Sequence, residues 1–142
     1  MSLDYIDTSV LVAALAEEIH SPRAERWLTS GRRGELAISE WVIAEFSSAL
    51  SIKLRIGGID TGARTAALEA FAIMTAQSLT ILPVIGAHFR MAARFADQYR
   101  FGLRAADALH LAIAGEQGAT LCTLDKRLAA AGKALGLAIK LI

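Results

Sequence analysis

The stretch Tyr5-Ile6-Asp7-Thr8-Ser9 decides how this chain folds. A short apolar run ends on the carboxylate of Asp7, and a helical pattern of apolar residues over 10–16 begins directly after the hydroxyl pair. This order predicts a buried strand followed at once by a helix, with Asp7 at the turn between them. In α/β proteins, ligands and chemistry gather at this carboxyl edge of the sheet. Asp7 is therefore the first candidate site residue.

Four more short apolar runs follow, and helical patterns separate them. They span residues 36–38, 79–82, 120–124 and 138–141. Short buried strands that alternate with helices predict a parallel sheet with helices on both faces. A chain of 142 residues has the length of one domain. The predicted fold is α/β, a three-layer sandwich of about five parallel strands, formed by a single domain over residues 1–142.

Polar residues and glycines mark the expected ends of several helices. Ser21 before Pro22, Ser39 and Asp60 each carry a side chain that can cap a helix N-terminus. Gly102 interrupts the pattern between two helices near the end of the chain. We therefore expect the helix after Gly102 to take a new direction.

Composition excludes several classes of protein. Hydrophobic residues make up 54% and charged residues 20%, which indicates an ordered globular chain. The mean hydropathy of +0.43 is high for a small domain, so a partner or a second copy is expected to cover apolar surface. No apolar run reaches the roughly 18 residues that cross a membrane. Asp4 and Asp7 stand where a signal peptide carries positive charge, and we expect a cytoplasmic protein.

Four acidic residues interrupt or directly follow apolar runs, whereas the others have polar surroundings or stand at helix starts and a strand entry. The four are Asp7, Glu45, Asp107 and Asp125. A lone carboxylate in such surroundings costs several kcal/mol unless something pairs with it. Asp7 and Asp125 end two strands at the same sheet edge, and the Gly102 break can aim Asp107 there. We therefore expect the acids to converge.

Carboxylates that converge repel one another and need a cation. Oxygen ligands without cysteine or histidine select Mg²⁺ or Mn²⁺ over zinc. The predicted chemistry is metal-assisted hydrolysis of a phosphodiester. The alternative is that each acid caps its own helix or pairs with its own base, without a shared site.

Four motifs resemble the PIN-domain nucleases, in order and at fitting spacing over essentially the whole chain. They are residues 5–11, Glu45 with residues 48–50, residues 103–112 and residues 123–128. The likeness is strongest to the VapC-type toxins of bacterial and archaeal toxin–antitoxin pairs. Leu128 departs from the pattern, because the family often has phenylalanine there.

This resemblance implies a central first strand and a Mg²⁺- or Mn²⁺-dependent ribonuclease. It implies that the four acids are the catalytic metal ligands and that Ser9 and Thr123 support the site by hydrogen bonds. Members of the family commonly form dimers, and an antitoxin silences them by covering the site with its C-terminal segment. The expected partners are therefore an RNA substrate (tRNA, rRNA or mRNA), a cognate antitoxin and a second copy of the chain.

Basic residues beside these motifs are candidate RNA contacts. The chain has 15 basic and 14 acidic residues, so sequestering four acids leaves a basic surplus of five on the remaining surface. That surplus is a modest attraction for a polyanion. Arg104 stands before Asp107, and Lys126 and Arg127 follow Asp125. We expect these three residues to contact RNA.

Two other interpretations stay open. A catalytically silent PIN-like module that binds a partner or RNA would also explain the high apolar content. The histidines His20, His88 and His110 suggest metal-free cleavage through the 2′-hydroxyl. They lie in different segments, however, and His110 is on an apolar helix, which favours core or surface positions for them.

Overall fold

The computed structural model describes residues 2–16, 20–30 and 34–142. Strands and helices alternate along this part of the chain. The strands are β1 (Leu3–Ile6), β2 (Glu35–Ser39), β3 (Thr80–Leu82), β4 (Thr120–Thr123) and β5 (Ile139–Leu141). The helices are α1 (Thr8–Leu15), α2 (Ser21–Thr29), α3 (Glu40–Arg55), α4 (Thr61–Gln77), α5 (Gly86–Asp97), α6 (Ala105–Glu116) and α7 (Lys126–Ala134), with a 3₁₀ turn at Tyr99–Phe101.

The five strands form one parallel sheet in the order β3-β2-β1-β4-β5. The first strand is central, and Tyr5 pairs with Ala37 of β2 and with Leu121 of β4. The predicted α/β fold, the parallel sheet of about five strands and the central first strand are confirmed. Because all strands run in one direction, the starts of α1, α3 and α7 meet at the carboxyl edge of the sheet.

The core is built around β1 and the two most buried helices. Tyr5 and Ile6 are fully buried. Six of the eight residues of α1 are buried, and every residue from Ala108 to Ala114 of α6 is buried. A helix that is apolar on all sides belongs inside a protein. The backbones of α1 and α6 are therefore firmly held where they approach the sheet edge.

Two predicted helix boundaries are confirmed, whereas the predicted cap at Ser21 is wrong. Asp60 caps α4, since its carboxylate accepts the backbone N–H of Ala63 at 2.7 Å. Gly102 has a φ of +61°, a left-handed conformation that glycine adopts without strain, and the chain turns there before α6. Ser21 is not a cap, because α2 begins after His20 and the Ser21 hydroxyl donates to the carbonyl of Ala13 instead.

Ser39 precedes α3 as predicted, but its side chain does not cap the helix. Its hydroxyl lies 2.7 Å from the hydroxyl of Tyr5 on the neighbouring strand. The Ser39 hydroxyl thus bonds to a neighbouring strand, although the local sequence predicted that it would cap the helix. In the part of the chain that the structure describes, no helix has both the length and the apolar character needed to cross a membrane.

Candidate active site

Asp7 follows β1 and caps α1, and its side chain is only 5% exposed. Oδ1 accepts the backbone N–H of Ser9 at 2.5 Å, and Oδ2 accepts the hydroxyl of Thr123. The backbone N–H of Asp7 donates to the carbonyl of Cys122 at 3.0 Å, which continues the pairing of β1 with β4. Its carboxylate is therefore fixed by two separate segments of the chain.

Two hydroxyls connect the turn after β1 to the turn after β4. The Thr123 hydroxyl accepts the backbone N–H of Asp125 at 3.0 Å and lies 3.4 Å from the hydroxyl of Ser9. Ser9 in turn accepts the backbone N–H of Leu124 at 3.2 Å. Ser9 and Thr123 therefore hold the segments that carry Asp7 and Asp125 against each other.

Asp125 caps α7 in the way that Asp7 caps α1. Its Oδ1 accepts the backbone N–H groups of Arg127 at 2.9 Å and Leu128 at 3.1 Å. A carboxylate at a helix N-terminus is favoured by these bonds and by the helix dipole. The two acids therefore stand at neighbouring helix starts, beyond the paired strands β1 and β4.

Asp107 lies half-buried in the first turn of α6. Within residues 2–16, 20–30 and 34–142, no hydrogen bond reaches its carboxylate. Burial raises the pKa of Asp107, and the negative charge of Asp125 raises it further; the charge of His110 opposes this, and Asp7 and Glu45 add smaller upward contributions. All three other acids are therefore close enough to act on Asp107 through their charge.

Glu45 lies part-buried on α3 and has two hydrogen-bond donors on one oxygen. Oε1 accepts the Thr8 hydroxyl at 2.7 Å and faces Nε2 of His110 at 2.5 Å. Burial acts to raise the pKa of Glu45, but the hydrogen bond and the charge of His110 hold it below the usual range. The partner of this acid thus comes from α6, not from a basic residue on its own helix.

Three of the four acids line two different cavities, and Asp7 lines neither of them. Asp107 and Asp125 share a cavity of about 230 Å³ with Arg104 and Arg127. Glu45 lines a second, more open cavity of about 430 Å³. Among the predicted RNA contacts, Arg104 and Arg127 therefore lie beside two of the acids, whereas Lys126 is exposed and lies outside the lining of either cavity.

The acids fit a divalent cation in their chemistry. Their ligand atoms are all oxygens, and the pKa of Asp107 is raised first by burial and then by the like charge of Asp125, which a cation would neutralise. In the described part of the chain, no three His, Cys, Asp or Glu side chains stand close enough together to hold an ion by themselves. These residues support binding of the ion by one or two carboxylates together with waters, which is how proteins usually hold Mg²⁺.

The sequence analysis did not predict the buried residues that bond to Glu45 directly or bond to one another behind it. They are Tyr5, Thr8, Ser39 and His110. Two signals were present in the sequence. His110 stands three residues after Asp107, on the same side of α6, and Tyr5 stands two residues before Asp7, a spacing that puts side chains on one face of a strand.

The PIN domain family model matches residues 5–134. This chain belongs to the PIN domain family. No curated protein matches it. The solved structure of PAE2754 from Pyrobaculum aerophilum is 26% identical, with a TM-score of 0.68 over 97% of this chain and 83% of that chain.

Two further structures share the fold of this PIN domain. The sarcin–ricin loop cleaving toxin VapC20 of Mycobacterium tuberculosis is 21% identical, with a TM-score of 0.70 over 91% of this chain and 95% of that chain. VapBC2 of Rickettsia felis, bound to a promoter DNA fragment, is 16% identical, with a TM-score of 0.69 over 99% of this chain and 98% of that chain. The predicted resemblance to PIN domains of the VapC kind is thus confirmed.

Proposed function

We propose that this PIN domain is an Mg²⁺- or Mn²⁺-dependent endoribonuclease and the toxin of a toxin–antitoxin pair. The observation that carries the proposal is the electrostatic coupling of Asp107 to Asp125, Asp7 and Glu45. The charges of three acids from three other segments act on Asp107 at the carboxyl edge of a PIN fold. Structural likeness to an RNA-cleaving toxin supports RNA as the substrate.

The four acids would surround the divalent ion, one or two of them as direct ligands and the others through bound waters. The ion, when bound, supplies Lewis-acid activation of water and of the phosphate. Asp7 is fixed by Ser9 and Thr123, so its carboxylate has a defined position before substrate arrives. Asp107 has no hydrogen bond to give up within the described residues, which leaves both of its oxygens available as ligands.

Basic residues beside the acids would position the RNA backbone. Arg104 and Arg127 line the cavity that contains Asp107 and Asp125. A guanidinium group matches two phosphate oxygens and stays charged at any physiological pH. We assign these two arginines to phosphates that flank the cleaved bond, and exposed Lys126 to a more distant phosphate.

Exposed apolar side chains support the predicted protein partners. Ile52 and Ile56 are exposed near the end of α3, and Ile85 and Phe89 are exposed at the start of α5. Such residues favour coverage by a cognate antitoxin or by a second copy of the chain. FitAcB of Neisseria gonorrhoeae, 19% identical with a TM-score of 0.67, has the same fold.

A catalytically silent module is the second candidate, and a specific observation favours it. Asp7, Asp125 and Glu45 each have hydrogen-bond donors from the protein, so three of the four acids are satisfied without an ion. Such a protein would bind RNA or a partner through the same fold. Only Asp107 would then lack a role.

The test is cleavage of tRNA and ribosomal RNA in Mn²⁺ or in EDTA. We expect cleavage only with the ion, and products that carry a 5′-phosphate. Asp4→Asn is a matched control for Asp7→Asn, because Asp4 lies within β1 and away from the carboxyl edge. Products with a 2′,3′-cyclic phosphate, formed equally in EDTA, would instead support the histidine route. Absence of cleavage, combined with no thermal stabilisation by Mn²⁺, would support the silent module.

A further inference from the structure

We propose that His110 is a positioning residue that fixes the Glu45 carboxylate through a buried chain of hydrogen bonds from Tyr5 and Ser39. The inference rests on the proposed function, because Glu45 is one of the proposed metal ligands. It concerns residues that the proposed function uses neither as metal ligands nor as RNA contacts. We call Ser39, Tyr5, His110 and Glu45 the buried relay.

The buried relay crosses four secondary-structure elements by direct contacts. The hydroxyls of Ser39 and Tyr5 are 2.7 Å apart, and the Tyr5 hydroxyl is 2.8 Å from Nδ1 of His110. Nε2 of His110 is 2.5 Å from Oε1 of Glu45. Ser39 and Tyr5 are fully buried and His110 is 2% exposed. The three residues behind Glu45 are thus closed to solvent, and only the carboxylate lies towards the surface.

The sheet register explains why Ser39 and Tyr5 meet. Tyr5 pairs with Ala37 across the two parallel strands. Ser39 follows Ala37 by two residues, so its side chain lies on the same face, one step nearer the carboxyl edge. The Tyr5 ring extends along this face, and its centroid lies 5.7 Å from that of the His110 ring. Backbone pairing therefore sets the position of the relay.

Helical spacing explains why His110 reaches Glu45. His110 lies one turn after Asp107 on α6, and residues three apart share a side of a helix. Asp107 lines the cavity that it shares with Asp125, whereas His110 lies deeper, between Tyr5 and α3. One helix therefore presents a proposed ligand at its first turn and the support for a second ligand at its next turn.

Hydrogen-bonding roles along the relay are mutually consistent. A carboxylate only accepts, so Nε2 of His110 carries the hydrogen in the bond to Glu45. In the neutral ring Nδ1 accepts the Tyr5 hydroxyl hydrogen and the Tyr5 oxygen accepts from Ser39; in the charged ring Nδ1 donates to Tyr5, which then donates to Ser39. Every donor has one acceptor, which is the condition under which a buried polar network stiffens a protein.

The consequence for the site concerns which oxygen of Glu45 is free. Thr8 and His110 both bond to Oε1, and within the described residues no hydrogen bond reaches Oε2. A glutamate has several rotatable bonds, and holding it in one rotamer beforehand lowers the entropy lost when a ligand binds. The relay thus leaves Oε2 available and its position restrained.

His88 is a matched control that lies outside the site. It is likewise 2% exposed, its Nδ1 accepts the backbone N–H of Ile85 at 3.1 Å, and its Nε2 lies 3.2 Å from Oε2 of Glu116. It therefore has the same kind of burial and the same kind of carboxylate partner as His110, but no proposed ligand nearby. A role limited to folding predicts the same behaviour for both histidines.

The test compares His110→Leu, His110→Gln and His88→Leu by calorimetric titration with Mn²⁺ alone, together with thermal unfolding. We expect His110→Leu to weaken Mn²⁺ binding about 10-fold or more, as loss of a partner behind a metal ligand typically does. His110→Gln keeps a donor near Glu45 and should restore most of the affinity. His88→Leu should lower the melting temperature and leave Mn²⁺ affinity unchanged.

Two outcomes separate the inference from the proposed function. If the wild-type protein binds Mn²⁺ and His110→Leu binds it equally well, the positioning role is overturned and the proposed function stands. If the wild-type protein does not bind Mn²⁺, both are overturned. Tyr5→Phe keeps the ring and removes only the hydroxyl, so it serves if His110→Leu does not fold. It should weaken Mn²⁺ binding. In ¹⁵N spectra of the ion-free protein, it should lower the population of the Nε2–H tautomer of His110.

Discussion

The hydroxyl of Thr123 donates to Oδ2 of Asp7 and accepts the backbone N–H of Asp125 at 3.0 Å. One fully buried oxygen thus joins two proposed ligands that are 118 positions apart in the printed sequence. The arrangement couples the end of β1 to the start of α7. Any movement of either acid must break or carry along this hydroxyl.

Thr123→Val keeps the shape of the side chain and removes this hydroxyl. We expect a loss of about 1–3 kcal/mol in the free energy of unfolding, because Asp7 and the N–H of Asp125 both lose a partner. Urea unfolding measures it. Thr120→Val, at the other end of β4, is the control and should stay within about 0.5 kcal/mol of wild type. Equal stability of the two variants would show that the Thr123 hydroxyl contributes nothing.

Asp7→Asn should abolish RNA cleavage, and Asp4→Asn should not. The asparagine oxygen can still accept from Ser9, so the cap of α1 survives while the negative charge is lost. We expect cleavage in Mn²⁺ to fall by more than about 100-fold, beyond the effect of losing an outer-shell partner. Circular dichroism should show both variants folded. Cleavage by Asp7→Asn at the Asp4→Asn rate would exclude Asp7 from the site.

The stability of the ion-free protein should depend on the charge of Asp107. Its pKa in the folded protein is raised, chiefly by burial and then by Asp125, so the unfolded chain loses this proton first as the pH rises. Ionised Asp107 therefore destabilises the fold. The cost is absent below the ordinary aspartate pKa of about 3.9, grows as the pH rises from there to the raised value, and is constant above it.

Asp107→Asn should consequently melt at a higher temperature than wild type at pH 7 in EDTA. The difference should shrink as the pH falls towards about 4. Added Mn²⁺ should stabilise the wild type more than the variant, because the variant lacks one of the charges that attract the ion. Differential scanning fluorimetry in the two buffers measures both effects. A wild type that is the more stable protein in EDTA at pH 7 would contradict the coupling of the four acids.

The resemblance to PIN domains supplied the central position of the first strand, whereas local pattern was sufficient to predict the sheet and the placement of Asp7 and Asp125 at strand ends. The last two follow from an apolar run and the residue directly after it. The partner of Glu45 could not be predicted in this way, because His110 lies 65 residues further along the chain. The hydroxyls of Ser21 and Ser39 were misassigned for the same reason. Both bond to groups brought near by folding, Ala13 and Tyr5, instead of to their own helices.

Arg127 should bind RNA phosphate without taking part in metal binding. It lines the cavity of Asp107 and Asp125, which Gly102 lines as well. In the Asp7→Asn background, where RNA is not cut, Arg127→Ala should weaken binding. The slope of log affinity against log salt should fall by about 0.7, the contribution of one phosphate contact on a single strand.

Arg55→Ala is the control for this measurement, because Arg55 is exposed at the far end of α3. It should leave the salt slope unchanged, and filter binding over a range of salt concentrations measures both variants. Mn²⁺ affinity of Arg127→Ala in the otherwise wild-type protein should equal or exceed that of wild type, since the substitution removes a charge that repels the cation and removes no ligand. A slope equal to that of Arg55→Ala would place the RNA backbone elsewhere on the surface.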